Sequence, residues 1–266
     1  MIIDCHTHVF PDDVAERAMA ALHAAYQAEP VALPTVSGLL AHMRHCGVDR
    51  AVLCPVATKP SQVQPINDWL LGLSEERLIP FGAIHPHLPD AAGELDRLEQ
   101  AGVLGLKLQP FFQGFTFDDK RTLSLLEAIG DRFVVLLHAG DEIFPLPEIQ
   151  PTPQRLAGLL EQFPKLRLIA AHAGGYQLWD EVEAHLVGRR LLFDISYTTG
   201  KADVAQLGRI IAQHGHERIL WGSDFPWQAQ DYALEGLRQL GLPEAQESAI
   251  LSGNFLREVS APGASL

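Results

Sequence analysis

Cysteine is scarce in this chain. Cys5, Cys46 and Cys54 are the three in 266 residues, none in a Cys-x-x-Cys pair, so neither a disulfide framework nor a zinc ribbon is expected. Basic residues are also few: 20 Lys and Arg stand against 33 Asp and Glu, a net charge of −13, and the longest basic cluster is Arg189-Arg190. Phosphate-backbone recognition needs the opposite balance, so no nucleic-acid partner is expected. No run of about 18 apolar residues escapes a charge or a proline, which argues against a membrane span. The opening MIIDCHTH has neither a basic n-region nor an apolar h-region, so no signal peptide is expected and the location reads as cytoplasmic. No Gly-x-Gly-x-x-Gly follows the first apolar run, which removes the usual dinucleotide fingerprint.

What the chain does have is 47 % hydrophobic residues gathered in short runs. Eight are rich in Val, Ile, Leu and Phe: Met1–Cys5, Arg50–Pro55, Leu78–Ile84, Val103–Leu108, Phe133–Leu137, Leu166–Ala171, Leu191–Ile195 and Ile219–Gly222. Stretches with helical spacing lie between them, among them Val36–Cys46, Ala91–Ala101, Lys120–Gly130, Pro153–Phe163, Tyr176–Val187 and Ala202–Gly215. Nearly continuous apolar strands alternating with helices indicate a parallel sheet covered on both faces. Eight such units predict an α/β fold of the (β/α)8 TIM-barrel type, in which about 250 residues form a single domain. Residues 1–266 are therefore read as one barrel domain, with Gln228–Glu258 holding the last helix and one or two capping helices.

Histidine, at 12 residues, is the unusual count. Barrel enzymes place their chemistry at the C-terminal ends of the strands and in the loops that follow. His6 and His8 end the first strand, and alternation predicts that they share a face with Asp4 while Cys5 and Thr7 point away. Two imidazoles at i and i+2 can present nitrogens to one ion about 2.0 to 2.1 Å away, with Asp4 orienting a ligand. His214 and His216 precede the eighth strand, on the opposite rim, and read as solvated surface.

The other strand ends carry polar residues too. His138-Ala-Gly closes the fifth run, His172-Ala-Gly-Gly the sixth and Asp224-Phe-Pro the eighth, while Lys107 interrupts the fourth. Each alone reads as a satisfied core residue or a helix cap. Four histidines and an aspartate on one rim together suggest a metal centre, and nitrogen-rich ligation with one carboxylate suits Zn²⁺ first, then Mn²⁺, Fe²⁺ or Co²⁺.

With these motifs in order, Asp4-x-His6-x-His8, Gly105-Leu-Lys107-Leu-Gln109-Pro, His138-Ala-Gly, His172-Ala-Gly-Gly and Gly222-Ser-Asp224-Phe-Pro, the chain resembles the amidohydrolase superfamily. The nearest likeness is to its amidohydrolase-2 group of metal-dependent hydrolases and decarboxylases, and Gly253-Asn254-Phe255 resembles that group's closing segment. The resemblance implies a barrel with one divalent metal held by His6, His8, His138 and Asp224. It leaves His172 open, as a ligand or as a catalytic group beside the metal, the latter as in the aminocarboxymuconate-semialdehyde decarboxylase-like branch. It also leaves Lys107 open, as a carbamylated bridge to a second ion or as a group facing the substrate. Gln109 stands where the family often has His.

Two reactions fit. In the first, a Zn²⁺ ion lowers the pKa of its water to roughly 7, Asp224 moves the proton and the metal or His172 polarises a carbonyl. This predicts a hydrolase for a small amide, lactone or ester. The alternative is a metal-dependent, non-oxidative decarboxylase of a small unsaturated or aromatic acid. A third reading, a silent metal-binding barrel, requires a closed site with no accessible pocket. Candidate substrate-binding residues are Lys107, His85, Phe111 and Trp227. The loop bearing Phe111, Phe112, Phe115 and Phe117 reads equally as a lid or as an apolar plug or subunit contact in a homo-oligomer.

Overall fold

The eight apolar runs become nine strand segments, because the third is interrupted at Phe81. A computed structural model describes residues 1–27, 29–144, 148 and 151–259. The strands are β1 (Ile3–Thr7), β2 (Arg50–Leu53), β3 (Leu78–Pro80), β4 (Gly82–Ala83), β5 (Gly105–Leu108), β6 (Val134–Leu137), β7 (Arg167–Ala170), β8 (Leu192–Asp194) and β9 (Ile219–Leu220). Every ladder between neighbours is parallel, β1 to β3 in one sheet and β4 to β9 in another. Phe81 N–H donates to the Leu53 carbonyl at 3.0 Å, bridging the break in the third strand. The other seam closes where Cys5 N–H donates to Trp221 O at 3.0 Å and Asp224 N–H to His6 O at 2.8 Å. The result is the (β/α)8 barrel.

The helices are α1 (Asp12–Tyr26), α2 (Val36–Cys46), α3 (Val63–Leu71), α4 (Ala91–Gln100), α5 (Pro110–Gln113), α6 (Lys120–Ile129), α7 (Pro153–Gln162), α8 (Trp179–His185), α9 (Val204–His214), α10 (Gln230–Gln239), α11 (Glu244–Ser248) and α12 (Asn254–Glu258). Several start where a short polar side chain takes up a free N–H: Thr35 accepts from Gly38, Asp90 from Gly93 and Asp203 from Gln206. Such caps contribute about 1 kcal/mol each.

Period-two alternation sorts the strand side chains into two layers. Val135, Leu137, Leu168 and Ala170 pack outward with the helices, whereas Val134, Leu136, Ile169 and Ala171 fill the interior. Phe255 and Val259, from the end of the described chain, join that interior cluster. Among the described residues no helix is long and apolar enough to cross a membrane.

Two expectations need correction. The first concerns β1, whose register against β2 shifts between Asp4 and Thr7. Ile3 and Cys5 belong to the interior cluster, while Asp4 accepts a bond from Gln230 of α10. Simple alternation had Cys5 pointing away. The second concerns His214, which is buried rather than solvated. It lies on the same face of α9 as Leu207 and Ile211, stacks 3.9 Å from the Phe193 ring and bonds through Nε2 to Leu191 O at 3.0 Å.

Candidate metal centre

Strand ends deliver the polar residues to one place. His6 and His8 come from β1 and the residue after it, Lys107 from β5, His138 from the end of β6, His172 from just beyond β7, Asp194 from β8, and Asp224 from the turn after β9. His172 and Asp224 both have left-handed backbones, with φ of 58° and 67°, a region where His and Asp are over-represented among non-glycine residues. The Asp224 turn is held by Asp4, which accepts from Ser223 N–H at 2.9 Å, Ser223 Oγ–H, and Gln230 Nε2–H at 2.8 Å. Asp4 thus supports the turn bearing Asp224 rather than orienting an imidazole.

Each histidine has one nitrogen engaged by an acceptor. His6 Nδ1 lies 3.1 Å from Asp194 Oδ2, His8 Nδ1 2.7 Å from Cys54 O, His172 Nδ1 3.0 Å from Ser196 O, and His138 Nε2 3.1 Å from Asp141 O. Metal-binding imidazoles characteristically donate their second N–H in this way. Burial holds His6, His138 and His172 neutral, pushing His6 down to about 3 and His138 to about 4, with the Lys107 charge adding to both. A neutral imidazole that donates outward keeps a lone pair on its other nitrogen.

Those lone pairs face one another. His8 Nε2 and His6 Nε2 lie 3.2 and 3.5 Å from Asp224 Oδ1, and His172 Nε2 lies 3.1 Å from His138 Nδ1. Burial raises the Asp224 carboxyl, yet it stays below the usual carboxylate range. Acceptors packed against acceptors in a buried site need a cation, and this donor set of imidazoles with one carboxylate is that of a divalent metal. His6, His8 and Asp224 place ligand atoms within 4.8 Å of one another, and His138 joins them through His172. Lys107 Nζ, fully buried, sits 2.9 Å from His6 Nε2. Its ammonium and a metal compete for one lone pair, and burial already lowers its pKa.

Beside the centre is a cavity of about 240 Å³. Its lining includes Phe111, Phe115, Pro151, His138 and Glu142. An accessible pocket at His138 is the opposite of what a silent, closed site requires. Trp227 instead lines a separate cavity with Tyr197, Lys201 and Tyr232. His85 is buried, its Nδ1 accepting from His87 N–H at 3.0 Å, and it is absent from the lining of the cavity at His138.

Sequence reasoning missed Asp194, Ser196 and Glu142. Asp194 ends an apolar run as His138 and His172 do, so the same rule would have found it. Glu142 lies four residues past His138, its Oε1 3.2 Å from His138 Nε2, and accepts a bond from Gln109 Nε2–H. Burial pushes its carboxyl up to about 7 despite that bond.

The chain belongs to the amidohydrolase family, whose model matches residues 3–257. No curated protein sequence matches it. Solved structures similar to it include a 5-carboxyvanillate decarboxylase from Sphingomonas paucimobilis, at TM-score 0.73 and 19 % identity, covering 97 % of this chain and 98 % of that one. A 2,6-dihydroxybenzoate decarboxylase complexed with 2,6-dihydroxybenzoate has TM-score 0.71 and 18 % identity, with 97 % and 98 % covered. A dihydroxybenzoic acid decarboxylase from a Polaromonas species, with bound manganese and the inhibitor 2-nitroresorcinol, has TM-score 0.71 and 18 % identity, with 97 % and 96 % covered. These likenesses correct the hydrolytic expectation. Several of the matching structures are named as decarboxylases of aromatic acids, and the reading of an amide, lactone or ester hydrolase is set aside. The two reactions share one donor set, which is why the motifs did not separate them.

Proposed function

We propose that the protein is a metal-dependent, non-oxidative decarboxylase of a small aromatic acid. The observation that carries this reading is the cavity in which Phe111 and Phe115 supply aromatic walls while His138 and the high-pKa carboxyl of Glu142 supply polar ones. A flat ring suits the first pair, and an ionised substituent with a proton donor nearby suits the second.

His6, His8, His138 and Asp224 are the proposed ligands of one divalent ion, with His172 beside them as ligand or catalytic group. The ion, when bound, supplies a Lewis acid that holds and polarises an anionic substrate. Zn²⁺ was the first expectation from the donors; the manganese-containing relative supports Mn²⁺ equally. His172, fixed through Nδ1 to Ser196 O, directs Nε2 at His138 Nδ1. Asp224, held ionised, is suited to ligation rather than to giving up a proton. Glu142 keeps its proton near neutral pH and donates it to the ring carbon that bears the carboxylate. Carbon–carbon cleavage then releases CO₂ and returns the bonding electron pair to the ring. The apolar wall keeps water from the cleaved position.

The test offers carboxyl-labelled hydroxybenzoates and 5-carboxyvanillate to protein loaded with Mn²⁺ or Zn²⁺ in heavy water. Labelled CO₂ and one ring deuterium per turnover are expected. Absence of labelled CO₂ with both metals across the panel overturns the proposal.

A further inference from the structure

A second group of metal-ligating side chains lies outside the barrel, between α2 and α10. His42 and Cys46 are four residues apart on α2, so they share one face of the helix. Asp231 comes from the first turn of α10, and the ligand atoms of the three lie within 4.8 Å of one another. Cys46 Sγ is 3.4 Å from His42 Nδ1, which is 3.3 Å from the side-chain oxygen of the buried Gln230. A tetrahedral zinc centre has Zn–S near 2.3 Å and Zn–N or Zn–O near 2.0 to 2.2 Å, which sets its N···S and N···O edges at roughly 3.5 and 3.4 Å. Both spacings agree with those edges to within about 0.2 Å.

Access and chemistry agree with the geometry. Cys5 and Cys54 are buried in the barrel interior, whereas Cys46 and His42 are half-buried and Asp231 is exposed. One Asp231 oxygen accepts from Tyr232 N–H at 2.8 Å, leaving the other for a ligand. Burial and the Asp231 charge raise the Cys46 thiol pKa, and a bound cation reverses the charge effect.

We propose that His42, Cys46 and Asp231 form a second, independent binding site for a thiophilic divalent cation of the zinc class, with the Gln230 side-chain oxygen completing a tetrahedron. Binding releases the Cys46 thiol proton to solvent and places the imidazole proton on Nε2, which frees Nδ1. The site joins α2 to α10. It also abuts the support of Asp224, since Gln230 Nε2–H donates to Asp4 Oδ2 at 2.8 Å and the His42 ring packs 5.4 Å from that of Phe225.

The test titrates Co²⁺ into the full-length protein and into Cys46→Ser and His42→Gln variants, reading the thiolate-to-cobalt charge-transfer absorption. The donors proposed at the barrel rim include no sulfur, so they are silent in that band. One equivalent of band-forming Co²⁺ is expected in the native protein and none in either variant, with total bound metal falling by one equivalent. Zn²⁺ is expected to protect Cys46 from alkylation. A missing band in the native protein, a band that survives Cys46→Ser, or one that survives His42→Gln and so reports a thiol acting alone, overturns the proposal.

Discussion

His172 Nε2 and His138 Nδ1 face each other at 3.1 Å with no hydrogen to share, because Ser196 O and Asp141 O take the N–H of each ring. Two lone pairs in that position repel unless a positive charge lies close by. The same holds for His6, His8 and Asp224, so the rim is organised for a cation before one arrives.

Metal removal follows from this organisation. Chelation is expected to abolish turnover, and Mn²⁺ or Zn²⁺ to restore it. His6→Ala and His8→Ala should each lower the metal content by one equivalent in elemental analysis. Free metal at about 100 times its Kd should add roughly 2.7 kcal/mol to the stability of the native protein. Undiminished metal in both variants would sink the site.

Lys107→Met tests the competition at His6 Nε2. The substitution nearly conserves volume and removes a buried ammonium. Like charges near 4 Å cost several kcal/mol at an effective dielectric of about 20, most of which side-chain relaxation recovers, so metal affinity should rise about tenfold. Loss of metal in this variant would instead make Lys107 a ligand.

Glu142 makes stability depend on pH in a defined window. Its folded pKa, about 7, lies above the ordinary 4.5, so the folded state holds a proton that the unfolded chain releases. Stability from this group is present below pH 4.5 and is lost as pH rises to about 7, a change on the order of 3 kcal/mol. Metal-free Glu142→Gln should lack that fall in a pH series of melting curves, and the loaded variant should lose about 100-fold or more in kcat. Unchanged turnover would remove Glu142 from the mechanism.

Phe111→Ala should act on binding more than on chemistry. Losing an aromatic contact worth about 1.5 to 3 kcal/mol is expected to raise KM for an aromatic acid roughly 10- to 100-fold with a smaller effect on kcat. Steady-state kinetics would show it, and an unchanged KM would place the ring of the substrate elsewhere.

The barrel was legible because eight apolar runs alternated with helical spacing, and the rim because His138, His172 and Asp224 each broke such a run. Asp194 broke one too and passed unnoticed among acidic residues. The pinning of His8, His172 and His138 was not legible, because their acceptors are the backbone carbonyls of Cys54, Ser196 and Asp141, which every residue type supplies. His214 was misread from its place in the barrel, when its spacing from Leu207 and Ile211 already put it on the packed face of α9. Glu142 lay in a loop without periodicity, and only folding brought it to His138.

The left-handed backbone at His172 and Asp224 narrows how this site can be altered. A β-branched or bulky residue at either position loses the side chain's chemistry and also strains the peptide, at a cost on the order of 1 to 3 kcal/mol. Asn tolerates that conformation, so His172→Asn and Asp224→Asn separate loss of chemistry from loss of fold. Functional drift of this barrel is therefore confined, at these two positions, to a short alphabet of residues.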